Sequence, residues 1–176
     1  TLFRSVEDVQ KSQEKAQEEF KDALTRIKEL YAFEGGDLET FYDKLKNSYD
    51  DCDSRAKQIE KRINDVEQVA SDLFKEWEEE ITQINDAKLK SSSKKSLKDS
   101  RIKYQKLETI MNKSTKGMYP VLSKLKDYVL YLKHNLNAKA VGSLSGEIVS
   151  IEKEVAKLIN DMNISIKEAE NFINNF

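Results

Sequence analysis

The residues best suited to chemistry lie in one stretch of the chain. Lys88, Lys90, Lys94, Lys95, Lys98, Arg101, Lys103 and Lys106 face a single acid, Asp99, between positions 88 and 106. A bias of that kind attracts anions, whether a nucleic-acid backbone or an acidic lipid headgroup. Tyr104 is the only aromatic residue there, so no platform exists on which bases could stack. Lys88, Lys90, Lys94, Lys95, Lys98 and Arg101 are the candidate anion-binding residues. The competing reading is a solvated loop whose cations sit near the C-terminus of the preceding helix, where the macrodipole favours them.

Other reactive side chains carry less. Asp50, Asp51 and Asp53 form one acidic cluster, and Glu76, Glu78, Glu79 and Glu80 another. Consecutive positions on a helix point in several directions, whereas an oxygen-ligand metal site needs carboxylates converging from a loop. Both clusters are expected to be solvated helix faces. His134 closes a helical stretch, where a cation suits the helix C-terminus, and no nucleophile completes a triad with it. Cys52 lies in an apolar stripe between Tyr49 and Ala56 and is expected to be a small core filler whose thiol the flanking acids Asp51 and Asp53 hold protonated. One histidine and one cysteine exclude a His-rich metal site and an intramolecular disulfide framework. Gly-x-Gly-x-x-Gly, a phosphate-binding Gly-Lys-Ser/Thr loop, Gly-x-Ser-x-Gly and Cys-x-x-Cys are all missing. The expectation is a protein with no catalytic residues, no cofactor and no metal.

Composition points to the elements that carry these residues. The 176 residues include five glycines and one proline, and 35% are charged. So few chain breakers leave little room for an all-β or an α/β fold. Thirty basic residues against thirty-two acidic ones leave a net charge of −2, so no global field favours nucleic acid or an anionic membrane. No apolar run approaches the length that spans a bilayer.

Heptad spacing covers nearly the whole chain. The first stripe runs Leu2, Val6, Val9, Gln13, Ala16, Phe20, Ala23, Ile27 and Leu30, and stops before Gly35-Gly36. Ser5 with Asp8 resembles a capping box, which would start this helix a turn late. Asp37 caps a second stripe: Leu45, Tyr49, Cys52, Ala56, Ile59, Ile63, Val66, Ala70, Leu73, Trp77 and Ile84. Ser91-Ser92-Ser93 breaks the pattern and is expected to be a loop. A third stripe follows with Leu97, Tyr104, Leu107, Met111, Met118, Val121, Leu125, Tyr128 and Leu132, widened by Leu122 and Val129. Its phase continues across Pro120, which predicts a kink and not a reversal. Asn135-Leu136-Asn137 ends it, and Val141, Leu144, Ile148, Ile151, Val155, Leu158, Met162, Ala169, Phe172 and Phe176 form the fourth. Gly142 and Gly146 weaken the start of that helix and would admit a neighbouring backbone closely. Gln13, Ser100, Ser114 and Ser165 interrupt the stripes and could set register across helices.

These stripes predict one all-α domain over residues 1–176: a long antiparallel four-helix bundle or coiled coil, up-down-up-down. The expected helices are 3–34, 38–90, 94–135 with a kink near Pro120, and 138–175, with the helix 2–helix 3 hairpin projecting past the end of helix 1. A three-helix arrangement completed by a partner chain is the competing geometry, and a homo-oligomer is compatible with either.

Several stretches resemble an uncharacterised gammaproteobacterial family, a lipoprotein-like, all-helical domain of unknown function. They are Phe33-Glu34-Gly35-Gly36-Asp37-Leu38-Glu39, Leu73-Phe74-Lys75-Glu76-Trp77-Glu78-Glu79-Glu80-Ile81 and Tyr119-Pro120-Val121-Leu122, together with Val129-Leu130-Tyr131-Leu132-Lys133-His134-Asn135-Leu136-Asn137-Ala138. The resemblance implies a periplasmic, cell-envelope protein, lipid-anchored through a segment preceding Thr1; composition alone leaves the cytoplasm open. It brings no catalytic residues. Two expectations follow. The first is a non-enzymatic structural or interaction protein of the bacterial envelope, with a protein partner and no nucleic acid. The alternative is a binding module for an anionic ligand, nucleic acid or acidic lipid, through the basic segment 88–106.

Overall fold

A computed structural model describes residues 1–29 and 37–176. Leu30, the Gly35-Gly36 stop and the end of the first expected helix lie outside the described residues. Five helices follow in order: α1 (Leu2–Lys28), α2 (Leu38–Ile81), α3 (Ala87–Lys133), α4 (Ala138–Ser145) and α5 (Ile148–Asn175). Among the described residues there is no strand, and no helix is long and apolar enough to cross a membrane.

Local chemistry sets most of the boundaries. Thr1 caps α1 by accepting from the Arg4 N–H, so the helix begins a turn before the expected Ser5 box. The Ser5 hydroxyl instead donates to the Thr1 carbonyl at 3.0 Å. Asp37 caps α2 as expected, accepting from the Glu39 N–H at 3.0 Å and the Thr40 hydroxyl at 2.7 Å. These bonds, that from Thr40 first, hold the Asp37 carboxyl below the usual carboxylate range. Asn137 caps α4 through the Ala140 N–H at 3.0 Å.

Two expected boundaries are corrected. The second helix does not run to 90 but ends at Ile81, and the third begins at Ala87 instead of 94. Asp86 accepts from the N–H groups of Lys88 and Leu89 at 3.0 and 2.9 Å, which makes it a stronger start signal than the serines. Ser91-Ser92-Ser93 therefore lies inside α3, and Ser93 accepts from Trp77 Nε1 at 2.9 Å across the hairpin. A serine whose oxygen is engaged by a neighbouring helix has less reason to break its own. The fourth expected helix, 138–175, is divided at Gly146 and Glu147 into α4 and α5. Gly146 costs helix propensity at that point, and the Glu147 N–H turns back to the Leu144 carbonyl at 3.0 Å. The close backbone approach expected at Gly142 is not there: a Cβ on it would meet nothing within 4 Å. Pro120 sits inside α3, which continues through it without reversal.

The helices close into a ring, α1 against α2 and α5, and α3 against the same two. α1 and α3 are therefore diagonal, and the four long helices enclose the core between them. Ile59 and Leu107 are fully buried and Leu158 is 2% exposed. The diagonal is bridged by Gln13 Nε2, which donates to Ser114 Oγ at 2.9 Å in the buried interior. The Ser114 hydroxyl donates in turn to the Met111 carbonyl at 2.7 Å. This polar rung ties α1 to α3 at one register, as a buried polar residue does in a coiled coil. On the outside, Arg55 forks onto Glu19 at 2.8 Å between α2 and α1, and Lys124 pairs with Glu154 at 2.9 Å between α3 and α5.

The rods differ in length, and the excess gathers at one end. The start of α1 and the end of the chain meet α2 and α3 at an aromatic cluster: Phe3 against Phe172 and Phe176, Phe74 against Tyr104 and Phe176. Past that level, α2 and α3 are joined by side-chain bonds from Trp77 to Ser93 and from Arg101 to Glu78. The α3 half of this overhang, from Ala87 to Arg101, is about 20 Å long at 1.5 Å per residue. The projecting hairpin is thus present, with its turn at residues 82–86 and not at the serines.

A candidate anion-binding groove at the hairpin tip

Moving the helix start to Ala87 changes the meaning of the lysines. They do not cluster at the C-terminus of α2; they occupy the N-terminal turns of α3. Lys88 and Lys90 lie in its first turn, where the macrodipole is positive and favours acids. Lys90, Lys94 and Lys98 are spaced i, i+4, i+8, and like charges at that spacing repel by about 0.2–0.5 kcal/mol per pair. Helix stability alone therefore gives no reason for this arrangement.

The eight cations divide by what they touch. Arg101 pairs with Glu78 at 3.1 Å and lies 5.8 Å over the Phe74 ring. Lys103 donates to the Asn175 carbonyl at 2.7 Å, and Lys106 pairs with Glu168 at 3.5 Å. Lys103 and Lys106 fasten the base of the hairpin to α5, and Arg101 ties its two arms together. Among the described residues, Lys88, Lys90, Lys94, Lys95 and Lys98 make no ion pair.

A groove of about 620 Å³ runs along the α2–α3 seam of the overhang. Lys90, Lys94, Lys98 and Arg101 line one wall, Glu78 and Thr82 the other, and Ile81, Leu97 and Ile102 supply its apolar surface. Ile81 and Leu97 are 4% and 5% exposed and form the floor, while Ile102 is 57% exposed at the edge. Four of the six candidate residues are therefore brought together. Lys88 and Lys95 are exposed but do not line the groove. The expected candidate set did not include Ile81, Leu97 and Ile102. The row Lys90, Lys94, Lys98, Ile102 is visible in the sequence as an unbroken i+4 series, but only once α3 is started before position 90.

The remaining candidates have settled structural roles. Asp50 and Asp53 pair with Lys46 and Lys57, each at 3.0 Å and one helical turn away. His134 is the C-terminal cap of α3. Cys52 is fully buried, and burial first, then Glu19, Asp51 and Asp22, pushes its thiol far above the ordinary value. Asp53, expected to act on it, is not among these causes. Burial also pushes the Tyr104 phenol up, with Glu108 and Glu67 adding to it.

These shifts have a direct consequence. Both groups titrate higher in the folded chain, so the unfolded chain releases those protons first as pH rises. Their contribution to stability is complete below the ordinary thiol value of 9.0 and is lost progressively above it. Melting scans should show the bundle losing stability once pH passes that point. At neutral pH a thiol-specific disulfide reagent should label Cys52 about a hundredfold more slowly in the native chain than in denaturant. Fast native labelling would mean that the α1–α2 seam around Cys52 opens.

The model of the family described as Protein of unknown function (DUF2959) matches residues 1–176. No curated protein and no solved structure matches the chain.

Proposed function

The chain belongs to the DUF2959 family, and we propose for it a non-enzymatic role in the bacterial cell envelope: a helical rod that holds a basic hairpin tip clear of its body and docks an anionic partner there. One observation carries this reading. The Lys90–Lys94–Lys98 row has no ion pair among the described residues, works against the helix it sits on, and lines a groove with an apolar floor. Charges kept against the interest of the fold point to a partner outside it. Cys52, Tyr104 and Tyr128, the buried titratable groups among the described residues, sit in the apolar core, which supports a non-enzymatic role.

The docking role is tested by titrating the whole chain with fluorescent heparin, a generic polyanion, at two salt concentrations. Binding at about 50 mM salt that weakens steeply by about 200 mM is the expected result. No binding at the lower salt would end the reading. The envelope placement rests on the resemblance of the four sequence stretches quoted above. Fractionation of cells carrying the tagged natural gene should recover the product with membranes; recovery in the cytoplasmic fraction would contradict it.

A further inference from the structure

We infer that the hairpin groove receives an acidic amphipathic helix of a partner protein. This rests on the docking role proposed above and names its occupant. The groove is concave, and its floor, Ile81 and Leu97, is recessed to 4% and 5% exposure. A bilayer presents a plane and does not reach such a floor. A phosphate backbone gains nothing from apolar contacts, and no exposed aromatic lines the groove on which a base could stack. A helix with one apolar stripe fits both features, because its stripe fills the seam while its flanks meet the walls.

The dimensions agree. The wall residues Lys90, Lys94, Lys98 and Ile102 follow an i+4 row, the kind of ridge against which a second helix packs. The α3 wall extends from Lys90 to Gln105, about 22 Å at 1.5 Å per residue and the length of a helix of about fifteen residues, and the α2 wall meets it from Glu78 to Thr82. The charge selects the partner's flank. Glu78 is already neutralised by Arg101 at 3.1 Å, which leaves Lys90, Lys94 and Lys98 to meet carboxylates.

The test uses the whole chain and a labelled synthetic peptide of about fifteen residues, with leucines at three- and four-residue steps flanked by glutamates. Its controls are a scrambled peptide of the same composition, heparin, and phosphatidylglycerol vesicles. Fluorescence anisotropy should show the amphipathic peptide binding at least about tenfold more tightly than the scrambled one. Ile102→Ser, at a residue exposed enough that the fold does not depend on it, should remove most of that advantage and leave heparin binding unchanged. Equal binding of the scrambled peptide would overturn the inference. So would an Ile102→Ser variant that binds the peptide normally, vesicle binding that depends on Ile102, or a dimer in sedimentation that Lys94→Glu dissolves. If the peptide fails while heparin still binds, only the occupant is wrong. If heparin fails too, the docking reading itself falls.

Discussion

Leu107→Ala will lower the stability of the chain by about 2–5 kcal/mol and its melting temperature by about 5–15 °C. Leu107 is fully buried in the middle of α3, within the core cluster that all five helices share. Truncation there removes its transfer free energy and leaves a cavity that four packed rods cannot readily close. Ile102→Ala lies five residues earlier on the same helix, where the side chain is 57% exposed. That change should stay within about 0.5 kcal/mol. The contrast isolates burial from helix propensity, since both substitutions place alanine inside α3. Equal effects at the two positions would mean that the hairpin seam and the bundle core are not distinguished as described.

The second large effect concerns binding. Lys94→Glu should weaken heparin binding by about tenfold or more and flatten its salt dependence, because two units of charge are exchanged at the centre of the row. Lys94 lines the groove and has neighbours at 90 and 98 one turn away on either side. Lys57→Glu provides the control. Lys57 is a similarly exposed lysine, but it is paired with Asp53 at 3.0 Å on the body of the rod. Its reversal should leave the affinity near that of the native chain, and a loss as large as that of Lys94→Glu would place the binding surface elsewhere.

How far this was legible from residues alone differs by element. The stripes of α1, α3 and α5 are buried where the spacing placed them, from Val6 through Leu107 to Leu158. The Asp37 and Asn137 caps were legible because a short polar side chain before an apolar run has one efficient use. Toward the end of α2 the strict heptad slips. Leu73 and Trp77 are only partly buried, while Phe74 and Ile81 take the interior. A straight helix drifts against a seven-residue repeat, and over 44 residues the drift moves the buried face by about one position. The hairpin turn was misplaced because Ser91-Ser92-Ser93 carries a strong local loop signal. The competing signals, two N–H bonds to Asp86 and the partner Trp77 across the hairpin, depend on three-dimensional contact. That single error hid the groove, since a helix beginning at 94 separates Lys90 from the row it completes. The candidate residues themselves were legible as a charge bias. Their apolar floor was not, because Ile81 and Leu97 belong to different helices that meet only once the turn is placed correctly.

The central claim is that the lysine row serves a partner and not the fold, and the melting temperature of Lys94→Glu tests it most directly. Glutamate at 94 turns two repulsive i, i+4 pairs into attractive ones, with Lys98 on the favoured C-terminal side. The account predicts a melting temperature equal to or above that of the native chain. A fall of several degrees, which at this chain length corresponds to more than about 1 kcal/mol, would show that Lys94 holds the hairpin together and would contradict the account.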